Sequence, residues 1–235
     1  MASPARPSNS DLADPPMRRR WSIWRVMRWF GLRVLLLMMA LVALYGVINP
    51  PTTWTIAREA TAPRQWADAD EIAPVMLRSV VAAEDANFCA HWGFDMAEIR
   101  KVIASGSDRG ASTLTQQTAK NVFLWQGRSW SRKVLETAFT PMIEAFWSKR
   151  RILEVYLNVA EFGPGIFGVH AASAQYFGTT PDALTPVQAA RLAAVLPSPK
   201  QRSPRQSARS RAIADGAATI ARDGRAACFQ APGQG

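Results

Sequence analysis

The sequence predicts a mainly α protein preceded by a single transmembrane helix. Three observations carry that reading. Apolar residues recur at helical spacing through most of the chain, Thr-x-x-Gln capping pairs stand before two of the apolar runs, and no stretch of period-two alternation is long enough to support a sheet. With 235 residues, the chain has room for one sizeable core plus appendages. No internal repeat is visible.

Residues 1–28 read as a basic tail, with the Pro-, Ser-, Ala- and Arg-rich first twenty residues disordered. Residues 29–49 read as the transmembrane helix. Val34 to Ile48 are fifteen consecutive uncharged residues, about 22 Å as a helix. Adding Trp29, Phe30, Gly31 and Leu32, with Arg33 snorkelling toward head groups, brings the span to roughly the 20 residues that a hydrocarbon core requires. Trp21, Trp24, Trp29 and Trp54 flank it as an aromatic belt. A cleaved signal peptide is the competing reading. The long stretch ahead of the apolar run, and the lack of a small-x-small site after it, favour an uncleaved anchor. All seven N-terminal arginines precede the apolar run, which keeps the N-terminus in the cytoplasm and turns the rest of the chain outward.

Beyond Asn49-Pro50-Pro51, which stops the anchor, apolar Ile72, Val75, Met76, Val80 and Ala83 predict a helix that delivers Glu84 at its C-terminal end, with Pro74 in its first turn. Met96 to Ser105 suits a short helix, and Gly106 to Gly110 a loop. Thr113 with Gln116 forms a capping box for the next helix, on which Thr113, Gln117 and Lys120 share a face. Trp130 to Trp147 reads as a long helix kinked at Pro141, and Lys149 to Val159 as an amphipathic one. Gly163-Pro164-Gly165 forces a turn, Ile166 to Phe177 continues as a helix ended by Gly178, and Thr185-Pro186-Val187-Gln188 caps an Ala- and Leu-rich helix ending at Pro197. The folded domain is expected over 50–200, followed by a basic C-terminal tail over 201–235, for which a helix lying over the domain and a site for anionic lipid are both open readings.

The net charge of +10 is uneven along the chain. Residues 50–199 hold fourteen basic and fourteen acidic side chains, so the excess sits at the two ends, which argues against a nucleic-acid partner. Only two cysteines, Cys89 and Cys228, are present. An exported location is oxidising enough to join them and tie the tail to the Glu84 segment; two unpaired thiols are the alternative.

Glu84-Asp85 sets two carboxylates between a buried-looking helix and a Gly-containing loop, where a carboxyl with a tuned pKa can meet substrate. Lys120, Arg128, Arg132 and Lys133 are four cations without an intervening acid, a pattern suited to neutralising a diphosphate leaving group. Gln116, Gln117 and Asn121 add amides of the kind that read sugar hydroxyls or a peptide. Solvated charge runs produce the same pattern, so composition leaves both readings open.

Glu84 to Asp95, however, resembles the first motif of the peptidoglycan glycosyltransferases, the lysozyme-like enzymes that polymerise lipid II. Gly110 to Gln117 with Lys120-Asn121, Arg132 to Glu136, Arg151 to Asn158, and Ala189 to Pro199 follow in the family's order. The resemblance covers residues 65–200 and implies a lysozyme-like glycosyltransferase domain. The activity it implies is an inverting transfer: the 4-hydroxyl of one lipid-linked disaccharide attacks the anomeric carbon of the growing chain's terminal sugar, and undecaprenyl diphosphate leaves. By position, Glu84 is the expected general base and Glu136 a second catalytic carboxylate that orients the cations or the donor. Asp85, Ser112, Thr113, Gln117, Lys120, Asn121, Arg128 and Arg132 are expected to bind substrate, while Phe88 and His91 brace the site. Ala111 stands where many members have a second glycine. With no Ser-x-x-Lys segment in the sequence, the expectation is a monofunctional enzyme without transpeptidase activity.

The resemblance further implies a single-pass protein of the cell inner membrane with a periplasmic catalytic domain. Its expected partners are lipid II, the growing glycan, the bilayer, and wall-synthesis or division proteins. No cofactor or dedicated metal site is expected; a Mg or Mn ion, if used, would bridge diphosphate and carboxylate. Phe123-Leu124-Trp125 and Trp130 read either as a bilayer contact beside the lipid tail or as core. Two rival functions stay open: a lysozyme-like lytic enzyme, for which the cation cluster has no purpose, and a catalytically dead membrane-tethered scaffold.

Overall fold

The computed structural model describes residues 23–106, 110–127 and 129–230. The expected disorder of the first twenty residues, Trp21 and Arg128 therefore lie outside the described residues. The chain divides into two compact units, 1–37 and 38–235.

Helix α1 spans Ile23–Val47 and is long and apolar enough to cross a membrane. It begins earlier than the expected span, because Ile23 to Arg28, assigned to the tail, are residues that a helix tolerates well. Its last turns are built into the second unit. Trp147 Nε1 donates to the Val42 carbonyl at 2.7 Å, and Arg151 Nη2 donates to the carbonyls of Tyr45 at 3.0 Å and Ile48 at 3.1 Å. A cation on the otherwise unsatisfied carbonyls at a helix C-terminus is the favourable arrangement there.

Helices α2 (Trp54–Glu59), α3 (Pro74–Glu84), α4 (Met96–Ser105), α5 (Leu114–Phe123), α6 (Trp130–Phe146) and α7 (Lys149–Val159) follow. Each long one starts where a local signal sits. Asp95 caps α4, the Thr113/Gln116 box caps α5, Ser129 caps α6, Ser148 caps α7, and Pro74 opens α3. Next come strands β1 (Glu161–Gly163) and β2 (Ile166–Phe167), then helices α8 (Val169–Phe177), α9 (Pro186–Ala193) and α10 (Ala208–Arg222).

Two expectations change here. The Gly163-Pro164-Gly165 turn joins an antiparallel two-stranded hairpin, too short to leave an alternating pattern in the sequence. The helix expected from Ile166 starts instead at Val169, because Gly168 sits at φ +87°, outside helical geometry. In addition, the segment read as a basic tail is part of the folded unit. Helix α10 packs on α3 and α9 and buries Ser210, Ile213, Ala217 and Ile220, while Ala226 and Phe229 also enter the core.

That core is one cluster centred on Met76, Leu77, Val80, Phe88, Leu114, Ile143, Leu153 and Leu157. Helix α5 lies against α6 and α7, and α3 against α9 and α10. Asn158, fully buried on α7, holds the strand-like approach to α3 by exchanging both amide groups with the backbone of Ala67, at 2.9 and 2.8 Å. Of the aromatic run read either as bilayer contact or as core, Leu124 is buried and Phe123 packs partly buried against the core, stacking on Phe139 at 4.6 Å between centroids. Trp125 and Trp130 are exposed.

Candidate active site

Glu84 is the last residue of α3, and its carboxylate is nearly buried, with 10% of the side chain accessible. Gln117 on α5 donates through Nε2 to Glu84 Oε2 at 2.9 Å. The fully buried Tyr156 of α7 donates its hydroxyl to Gln117 Oε1 at 3.1 Å, which fixes the amide with its N–H toward the carboxylate. Glu84 Oε1 has no hydrogen-bond partner among the described residues. Burial raises the carboxyl above its ordinary range, with the Gln117 hydrogen bond and the charges of Arg209, Lys120 and Arg202 opposing. A carboxyl so placed is suited to exchange a proton with a substrate hydroxyl.

Asp85 points the other way. It accepts from His91 Nε2 at 2.8 Å and from the Leu114 backbone N–H at 3.0 Å, so it ties the end of α3 to the start of α5. Asp95 is within ligand reach of the same group, and Asp85, His91 and Asp95 could in principle be metal ligands. Yet Asp95 already accepts from Asn87 Nδ2 and from the Ala97 and Glu98 N–H groups. With both carboxylates committed, the cluster acts as a brace. Phe88 is buried, with the Lys149 ammonium 4.3 Å from its ring centroid. Gly93 follows at φ +84°, where a Cβ would meet the Thr140 methyl at 2.6 Å, so only glycine fits the turn that leads into α4.

The expected cations divide. Arg132 Nη1 donates to Glu136 Oε2 at 2.7 Å, and Lys133 is paired to Glu136 Oε1 while donating to Ser112 Oγ at 3.3 Å. Lys120 is half-buried and forms no ion pair among the described residues. Desolvation lowers its pKa, with the carboxylates of Glu136 and Glu84 opposing. Arg128 lies outside the described residues. Asn121 lines the same cavity as Lys120. Thr113 borders the Glu84 cavity, but its hydroxyl is spent on capping α5 and on donating to the Gly93 carbonyl at 2.7 Å, so it is committed to the fold. Ala111 needs no left-handed backbone, since the described residues at positive φ are all glycines.

Two cavities flank this line. One of about 260 Å³ is lined by Glu84, Asp85, Gly110, Ala111, Ser112 and Thr113. The other, about 340 Å³, is lined by Gln117, Lys120, Asn121, Tyr156, Glu161 and Lys200 among others. The Gln117–Glu84 hydrogen bond joins the two. The arrangement therefore sets two polar cavities beside one hydrogen-bonded pair, with Lys120 and Lys200 lining one of them. Three groups escaped the sequence reading. Tyr156 looked like core, while Lys200 and Arg209 looked like the end of the domain and its tail; they reach the site from α7, from the segment between α9 and α10, and from α10. Cys89 and Cys228 are joined by a disulfide, with 5.7 Å between their Cα atoms.

The family described as Transglycosylase matches residues 52–223. A biosynthetic peptidoglycan transglycosylase of Jannaschia sp. (strain CCS1) is 52% identical over 231 residues, covering 94% of each chain. Proteins of the same name from Xanthomonas campestris pv. campestris (strain B100) and Caulobacter vibrioides (strain ATCC 19089 / CIP 103742 / CB 15) are 49% and 46% identical, over 80% of this chain and 82% and 87% of theirs. With that match over most of its length, the chain belongs to the transglycosylase family.

Proposed function

We propose that the chain polymerises lipid II into β-1,4-linked glycan strands, with inversion at the donor anomeric carbon, release of undecaprenyl diphosphate and no transpeptidase activity. The carrying observation is the nearly buried Glu84, with Oε2 fixed by Gln117 and Oε1 without a hydrogen bond. In the reaction Oε1 takes the proton of the acceptor 4-hydroxyl as its oxygen bonds to the anomeric carbon. The bond from that carbon to the diphosphate breaks, and Lys120, with Arg128 and Arg132, neutralises the departing charge. Glu136 holds Arg132 and Lys133 in place. Ser112, Asn121 and Gln117 offer polar contacts to the sugars.

The apolar helix α1 supports anchoring in a membrane, and the arginine bias ahead of it supports an inner-membrane protein with a periplasmic catalytic domain. Trp125 and Trp130, exposed beside the cation segment, suit contact with lipid near the isoprenoid tail. The test uses the full chain in detergent with purified lipid II. Wild type should extend glycan and Glu84→Gln should not, while keeping its fold. Cleavage of finished glycan without synthesis would instead favour a lytic enzyme, and an inert wild type a scaffold.

A further inference from the structure

Arg209 lies on α10, in the segment that the sequence placed outside the catalytic domain. Its Nη2 is 3.8 Å from Glu84 Oε1. Three contacts hold α10 and the turn after it against residues 82–89, the stretch that carries Glu84. Gly216 lets α10 approach α3 so closely that a Cβ there would stand 3.1 Å from the Ala82 methyl. Arg225 Nη1 donates to the Ala86 carbonyl at 3.2 Å, and the Cys89–Cys228 disulfide closes the far side.

We infer that Arg209 is a positioning residue for the Glu84 base, an arginine that holds the carboxylate charged without occupying the oxygen that must take the proton. This rests on the reading of Glu84 as the base. Other charged or titratable groups facing Glu84 are Lys120 from α5, Arg202 from the segment after α9, Asp85 beside it, and Tyr156 of α7 through Gln117. A desolvated carboxylate tends to keep its proton, and a nearby guanidinium offsets that tendency. At 3.8 Å the guanidinium acts by charge and is too far for a hydrogen bond, so Oε1 keeps its lone pair for the acceptor hydroxyl.

The experiment is the pH dependence of kcat/KM for the full chain in detergent with lipid II, for wild type, Arg209→Gln, Arg209→Lys and Arg222→Gln. Loss of the guanidinium should move the acid limb upward by about half a pH unit, the size expected for a part-exposed ion pair, and leave the plateau within about twofold. The lysine variant should return the limb toward wild type, and the Arg222 variant, on the same helix, should match wild type. A uniform loss across pH with an unmoved limb, or a lysine variant no better than the glutamine one, would overturn the inference. If Glu84→Gln turned over lipid II as fast as wild type, the base assignment itself would fall. An inactive Glu84→Gln with an unmoved Arg209→Gln limb overturns only the role given to Arg209.

Discussion

Glu136, buried, and Glu84, nearly so, both lie close enough to Lys120 to act on its charge, yet the two regions treat their carboxylates in opposite ways. At the end of α3, Glu84 accepts one hydrogen bond, from a neutral amide, and its other oxygen is buried without a hydrogen bond among the described residues. On α6, Glu136 has both oxygens taken, one by Arg132 and one by Lys133. Burial alone therefore does not make a base. A carboxylate saturated by two cations is a fixed anion that organises them, whereas one that cations influence only from beyond hydrogen-bond distance keeps a lone pair that can accept a proton.

The largest expected effect follows directly. Glu84→Gln should lower kcat by at least about 100-fold, as removal of a general base does, while Glu136→Gln should cost activity mainly through displaced cations, about tenfold. Equal losses, measured as glycan synthesis from lipid II, would erase the distinction. On stability the ranking should invert. Glu136→Gln leaves Arg132 and Lys133 without their anion and should destabilise by about 3 kcal/mol in thermal or denaturant unfolding of the detergent-solubilised chain.

A smaller effect probes how Glu84 is held through its other oxygen, Oε2. Tyr156→Phe removes the hydroxyl that orients Gln117 and should reduce kcat about fivefold, about one hydrogen bond, with little change in KM. A rise in KM with kcat unchanged would mean that the Tyr156–Gln117 pair serves binding instead.

The smallest effect is also the most diagnostic of burial. Glu84→Gln should raise Tm by about 2 °C at neutral pH, because the charged form is disfavoured in the folded state. The pH dependence has a fixed sign. Glu84's folded pKa is raised above its unfolded value, so below the ordinary carboxyl range both states are protonated and the variant should gain nothing. The gain should grow as pH rises through the ordinary range toward the folded value and stay constant above it. A gain that persisted in acid would trace to packing.

Much of the fold was legible because its signals are local. Thr113 with Gln116 and Thr185 with Gln188 mark helix starts through side chains only three residues away, and Met96–Ser105 and Lys149–Val159 follow directly from apolar spacing. The hairpin at Glu161–Phe167 was not legible, since so few paired residues leave no periodicity. Helix α10 was legible only as one of two readings of the basic tail, because its buried stripe of Ile213, Ala217 and Ile220 is diluted by charged residues. In the site, Glu84, Lys120 and Glu136 could be read from residue type and order. The fate of Thr113 could not, because its hydroxyl is claimed by the carbonyl of Gly93 on a returning loop.

By itself, the sequence determined the helical class, the apolar anchor and which residue types were present for acid–base and anion-binding work. It could do so because helical periodicity and capping act within a turn or two of the chain. Tertiary structure decided that, among the described residues, Glu84 keeps an oxygen without a hydrogen bond and Lys120 forms no ion pair, and that Arg209 comes within 3.8 Å of Glu84. Those outcomes depend on which elements meet across α3, α5, α7 and α10, and a side chain's protonation and partners are set by neighbours distant in sequence.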